Sequence, residues 1–266
     1  MIASHPGEQL LDDGDVPVAV ADVPAAHDAA DIAVGDGIVA TDTRWSFGGK
    51  THEQFDAHVN RSVPLYGEGH LLIDHAVEFF SRPGVRIIDV GCSTGTLLHR
   101  LADKPTSRGL QLIGYDIEAD MVRAARHRCA DLDNVHITQG DAETIDYSGA
   151  GAVIMYYTLQ FAAPGRRLAV LRRIREGLEA GGALLLFEKV LAPDARTQDI
   201  IGQLYQEHKI LNGFDTDDIY NKARSLRSVM APVPSERNLS DLREAGFSSV
   251  VTIQKYLCFE GYLAIA

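Results

Sequence analysis

Apolar positions along the chain follow two periods. From Val85 onward, short runs rich in Val, Ile and Leu occupy 85–90, 110–115, 134–139, 151–157, 182–188, 249–256 and 258–265, and these read as strands. Between most of them the apolar residues recur every three or four positions, which predicts helices over 95–103, 118–130, 165–179, 195–211, 215–229 and 236–245. Such alternation implies parallel strands joined by right-handed crossovers, with helices on both faces. The last two strands are separated only by Leu257, so they must pair antiparallel. The expected fold is therefore α/β, a seven-stranded sheet with its last strand reversed.

Upstream, Phe55, Val59 and Val63 lie on one face of a helix across Thr51–Val63. Pro64 disfavours helix in the residue before it, and a second helix is expected over Leu71–Phe80, stopped by Arg82-Pro83-Gly84. Residues 192–232 are longer than a crossover needs. They are expected to form a helical cover over the C-terminal edge of the sheet, where open α/β sheets bind ligands. Residues 1–43 read as a disordered acidic extension with at most a short helix at Val23–Ile32. The domain proper, 44–266, starts where Trp45 and Phe47 bring the first aromatics.

Charge sharpens this division. The net charge is −12, and residues 1–40 hold eight acids with no Lys or Arg, leaving −4 for the rest. An acidic chain lacks the cations that neutralise a phosphate backbone, so no direct nucleic-acid partner is expected. Three widely spaced cysteines, Cys92, Cys129 and Cys258, form neither a disulfide framework nor a metal pattern, which suits a reducing cytoplasm. No metal site, secretory signal or membrane span is expected.

The chemistry concentrates at Val85–Leu98. A β-branched run ends in Asp89, passes through Gly91-Cys92-Ser93-Thr94-Gly95 and re-emerges as a helix. This is the strand–turn–helix opening of a nucleotide site. Asp116, which ends the second strand 25 residues after Gly91, is placed to accept ribose hydroxyls beside Ile117. Asp141, between Gly140 and Ala142 after the third strand, is placed to meet an adenine amine. Each acid could instead cap or turn the chain locally. Position 93 is Ser rather than a further glycine and no Lys follows, so the turn suits a nucleoside without a diphosphate. A sulfonium nucleoside fits, and Asp89 would complement its positive charge. Cys92 reads as small packing against that ligand.

At this point the chain resembles the S-adenosylmethionine-dependent methyltransferase superfamily across about 85–266. Asp89 to Gly95, Tyr115-Asp116, Gly140-Asp141-Ala142 and Leu178-Glu179-Ala180-Gly181-Gly182 stand in the expected order. A closer resemblance, over about 44–266, is to the carboxy-S-adenosylmethionine synthase family. It is carried by Trp45-Ser46-Phe47, Arg61-Ser62-Val63-Pro64-Leu65-Tyr66, Thr158-Leu159-Gln160-Phe161 and Phe187-Glu188-Lys189. Asn212-Gly213-Phe214, Val229-Met230 and Ala245-Gly246-Phe247 add to it. The resemblance implies S-adenosyl-L-methionine as cofactor, a Rossmann-like sheet and a dimer. It also implies contact of Tyr66 with the cofactor, and conversion of S-adenosylmethionine and prephenate to a carboxylated sulfonium used in wobble-uridine modification. Two departures stand out. Tyr156 replaces the family's asparagine near the ligand. Ala223 stands where the family's arginine holds the added carboxylate, with Arg224 one residue on.

The favoured reading is thus a cytoplasmic, dimeric S-adenosylmethionine-dependent methyltransferase of a small, acidic acceptor, given Lys222, Arg224 and Arg227. Tyr156, His208 and Arg224 are its candidate catalytic residues. Tyr156 or Tyr157 is expected to pack on the sulfonium, and His208 to serve as a base. Glu188 is expected either to orient the acceptor or to anchor the cover. The alternatives are a carboxy-S-adenosylmethionine synthase in which Arg224 replaces the missing arginine, and a non-catalytic S-adenosyl-ligand-binding subunit.

Overall fold

The computed structural model describes residues 31–40, 45–49, 51–227 and 229–266. A short hairpin, β1 (Ile32–Ala33) and β2 (Val39–Ala40), comes first, followed by α1 (Thr51–Ser62) and α2 (Tyr66–Glu78). The alternating region then runs β3 (Arg86–Val90), α3 (Thr96–Ala102), β4 (Gln111–Asp116), α4 (Ala119–Arg128), β5 (Val135–Gln139) and β6 (Ala150–Tyr156). It continues through α5 (Pro164–Gly177) and β7 (Leu178–Leu191) to the cover helices α6 (Ala195–Leu211) and α7 (Thr216–Ser225). The short β8 (Val233–Pro234), α8 (Ser235–Glu244), β9 (Ser249–Tyr256) and β10 (Phe259–Ile265) close the chain.

The main strands lie in the order β5-β4-β3-β6-β7-β10-β9, with β8 paired to the far end of β7. The strands β3 to β7 pair parallel, and β10 runs antiparallel to both β7 and β9. The sheet is the one expected from the sequence, with β8 as an addition. Alternation along the strands separates two cores. Ile87, Leu112, Ile154, Leu185 and Phe187 face α2, α3 and α4, whereas Ile88, Val153, Met155, Leu184 and Leu186 face α5 and α8. Each such side chain is essentially excluded from solvent, a contribution of about 1.5–3 kcal/mol apiece.

Two departures from expectation bear on function. α2 begins at Tyr66, five residues earlier than its apolar pattern indicates, directly after Leu65 in the left-handed region at φ 55°. Residues 31–40, expected within the disordered extension, form the hairpin instead. Val34, Ile38 and Ala40 are buried with Trp45 against Leu226, and Asn221 of α7 donates to the Ala33 carbonyl at 3.0 Å. Most of the short helix expected at 23–32 lies outside the described residues. No helix among the described residues is long and apolar enough to cross a membrane.

Candidate active site

The strand ends, α1–α2 and the cover enclose one large cavity of about 1080 Å³. Its floor is the turn after β3. Gly91 (φ 76°), Ser93 (φ 49°) and Gly95 (φ 77°) all lie in the left-handed region, which makes glycine the fitting residue at two of the three. The close approach of Thr158 adds a second reason at Gly91, where a Cβ would sit 2.4 Å from the Thr158 hydroxyl. Gly91 and Cys92 both donate to the Tyr115 carbonyl, at 2.7 and 2.9 Å, tying the turn to β4. Asp116 at the end of β4 accepts from the Ser93 and Glu118 amides, each at 2.9 Å. The turn and the acid are therefore one rigid unit.

Asp89 and Asp116 are both buried in this wall, and among the described residues no Lys or Arg pairs with either. Burial pushes Asp89 up to about 7, with the Asp116 charge adding to it. Asp116 is raised by burial too, against the pull of its backbone donors. Two buried carboxyl groups lining an enclosed cavity are a complement for a positively charged ligand. Burial also raises the Cys92 thiol, which stays protonated.

Aromatic rings form the next wall. Tyr66 and Tyr156 meet at 4.9 Å between centroids, Tyr66 stacks on Tyr157 at 6.3 Å, and Tyr156 rests edge-on against Phe187 at 4.9 Å. The Tyr156 hydroxyl donates to the Tyr66 carbonyl at 2.6 Å, clasping the first turn of α2. Gly69 makes room for it, since a Cβ there would lie 2.2 Å from that oxygen. These electron-rich faces suit a sulfonium.

The cover end has the opposite charge. Lys189 of β7, Lys209 of α6 and Lys222 of α7 all line the cavity. Lys189 and Lys209 place their ammonium groups 4.7 and 4.4 Å from the Tyr205 ring centre, and the Tyr205 hydroxyl is anchored on the Ser62 carbonyl at 2.9 Å. Burial first, and then the Lys189 charge, brings Lys209 down to about 8. Among the described residues no carboxylate pairs with Lys189 or Lys209, and buried amines so placed complement an anion.

All ten residues expected to hold the cofactor line this cavity: Tyr66, Asp89, Gly91, Cys92, Ser93, Asp116, Ile117, Asp141, Ala142 and Tyr156. Two of the three catalytic candidates, His208 and Arg224, are not brought to it. On a helix each residue turns about 100° from the last. Lys209 faces inward, which turns His208 outward toward Asn212 and Tyr256. Lys222 and Ala223 line the wall, and Arg224 lies beyond it, while Arg227 returns to the rim. Glu188 lies beneath the surface. It accepts from the Gln160 amide at 3.0 Å and from Arg167 at 2.7 Å. Arg167 also reaches Asn238 of α8 at 2.7 Å, so Glu188 ties β7 to α5 and α8 rather than facing a ligand or holding the cover helices. His58, Lys189 and Lys209 were not singled out as ligand contacts by the sequence. The available signal was a histidine beside the apolar stripe of α1, between Phe55 and Val59.

Comparison with known proteins agrees with the fold and with S-adenosyl-L-methionine as the cofactor. The methyltransferase domain family matches residues 87–182. The carboxy-S-adenosyl-L-methionine synthase of Chromohalobacter salexigens is 34% identical over 224 residues, 83% of each chain. That of Staphylococcus epidermidis is 31% identical over 223 residues, 84% of this chain and 97% of its own. Among solved structures, the YcgJ protein of Bacillus subtilis has a TM-score of 0.53 at 20% identity, covering 72% of both chains. The S-adenosylmethionine-dependent methyltransferase SibL gives 0.52 at 20%, covering 73% of this chain and 55% of that one. These two likenesses are likenesses of fold.

Proposed function

The chain belongs to the carboxy-S-adenosyl-L-methionine synthase family of class I S-adenosylmethionine-dependent methyltransferases, and from its cavity we propose transfer of a one-carbon group to a small anionic metabolite. The observation that carries this reading is the charge division of one cavity: Asp89 and Asp116 along the strand ends, Lys189 and Lys209 along the cover. S-adenosyl-L-methionine supplies an electrophilic methyl group on a sulfonium. Asp116 would hold its ribose, Asp141 its adenine, and Asp89 the charged end, with Tyr66 and Tyr156 against the sulfonium. Lys189 and Lys209 would hold the acceptor's anionic group. Alignment and exclusion of water under the cover then do most of the work of transfer.

The second reading is synthesis of the carboxylated sulfonium named for the relatives. The identity over most of both chains favours it, as does Lys209, an amine able to take a carboxylate in a cavity whose wall has Ala223. Mass spectrometry separates the two. The purified protein, incubated with S-adenosylmethionine and a panel of small carboxylic acids, should yield a methylated acid. A carboxylated sulfonium, retained or formed, would replace the first reading by the second. Tight S-adenosylmethionine binding without turnover of any acid would leave a binding subunit. We also infer a homodimer, supported by Ile200, Leu204 and Leu211 exposed along α6. Light scattering at micromolar concentration should give twice the chain mass, and a monomer would refute it.

A further inference from the structure

A chain of polar contacts runs from the N-terminal hairpin into the cavity. Asp36, at the hairpin tip with φ 55°, takes a hydrogen bond from the His58 Nδ1 at 2.8 Å. His58 is buried within α1, and its Nε2 meets the Nζ of Lys222 from α7. Lys222 lies 4.6 Å above the Trp45 ring and lines the cavity. Each link is fixed by neighbours. Arg61 bonds the second Asp36 oxygen, and also the Asn212 carbonyl at 2.9 Å. His58 stacks on Trp45 at 5.8 Å and meets Phe214 edge-on at 5.3 Å. With Nδ1 carrying the proton donated to Asp36, Nε2 presents a lone pair to the amine.

We propose that Lys222 is the proton acceptor of the site, a catalytic base toward the acceptor molecule, and that His58 and Asp36 are its positioning residues. This rests on the transfer reaction proposed above. Methylation of a hydroxyl or enol requires its proton to leave. The O–H bond gives its proton to Nζ, and the electron pair left on the acceptor forms the new bond to carbon. As that bond forms, the carbon–sulfur bond breaks and its pair stays on sulfur. One positive charge is lost at the sulfonium and one gained at Lys222, so charge balances.

The surroundings set the base strength. Burial, Lys209 and Lys189 disfavour the Lys222 ammonium, and Asp36 opposes them, so the amine is held well below the usual lysine range. The Trp45 face also favours the ammonium. Burial and then the Lys222 charge lower His58 to about 4, so the imidazole stays neutral and orients. The relay thus draws a strongly weakened amine back toward the working range, where a general base is most effective.

The test is trace labelling of the full chain with acetic anhydride across a pH series, with each lysine resolved by mass spectrometry. Lys222 should reach half-labelling about two or more pH units below exposed Lys255. Asp36→Asn and His58→Leu, which remove the opposing charge and the lone pair, should lower that midpoint further. A role confined to packing would leave it in place. A Lys222 midpoint equal to that of Lys255 overturns the proposal. Once the acid panel yields an acceptor, Lys222→Met and Lys222→Arg should both lose about 100-fold or more in kcat, with S-adenosylmethionine affinity within about twofold by calorimetry. Activity retained by Lys222→Arg would make the residue a charge anchor and overturn the base. Absence of S-adenosylmethionine binding by the unaltered protein would overturn the transfer reading together with the base. Ordinary labelling with intact binding overturns the base alone.

Discussion

The strand-end wall and the cover wall enclose the same cavity by different means. The first lies along neighbouring strand ends and is held by main-chain bonds: Asp116 is fixed by two amides, and the turn by the Tyr115 carbonyl. The second is assembled from β7, α6 and α7, and its amines rest on rings rather than on acids. A wall made by one turn is suited to a constant ligand. A wall made by separate elements can change one residue at a time, which is where the departure at Ala223 falls. On the function proposed above, the difference lets cofactor and acceptor selection vary separately.

That separation can be broken most directly at Asp116. Asp116→Ala removes a charged hydrogen-bond acceptor, worth about 1.5–3 kcal/mol per bond, and frees the Ser93 amide. S-adenosylmethionine affinity measured by calorimetry should fall on the order of 100-fold, and unchanged affinity would refute the ribose assignment. Next comes pH. Burial and the Asp116 charge push Asp89 up to about 7, and a cationic ligand requires its ionised form. Below pH 7 a proton must be released on binding, so affinity should fall by up to about tenfold per unit. Asp89→Asn should bind more weakly at pH 8 and show a flat profile. A wild-type profile that is already flat would remove Asp89 from the charged end.

Gly69→Ala tests the clasp between the walls. Its Cβ would overlap the Tyr156 hydroxyl, so stability should drop by about 1–3 kcal/mol in a denaturant melt. Adding Tyr156→Phe should recover part of that loss, and no recovery would mean that the strain lies elsewhere. The smallest effect is expected at Arg224, which lies off the cavity. Arg224→Ala should change ligand affinity and stability by no more than about 0.5 kcal/mol. A large loss of acceptor binding would put its guanidinium in the site after all.

The uneven legibility of the sequence follows from the same contrast. The strand–helix alternation, the reversed strand and the turn after β3 are legible because local periods and two glycines specify them. α2 starts before Leu71 although Gly67 and Gly69 lower helix propensity, and the overlying Tyr156 shows why Gly69 is there. The hairpin escaped because its strands are two residues each, and Val34 and Ile38 look like scattered apolar residues until Trp45 covers them. Lys189, Lys209 and His58 lie far apart in the chain, and no spacing rule joins them. Arg224 and His208 were one or two positions from the residues that do face inward, an error of phase on a helix rather than of place.

The hairpin has a practical consequence for handling the protein. Truncation of the chain to start at Trp45 would leave the sheet, the turn after β3 and every acid of the cofactor wall intact. The trimmed protein should melt cooperatively and still retain its nucleoside, and by those criteria it would pass as native. Yet it would have lost Asp36, and with it the anchor of His58. Preparations judged by ligand retention alone could therefore be uniformly folded and uniformly slow.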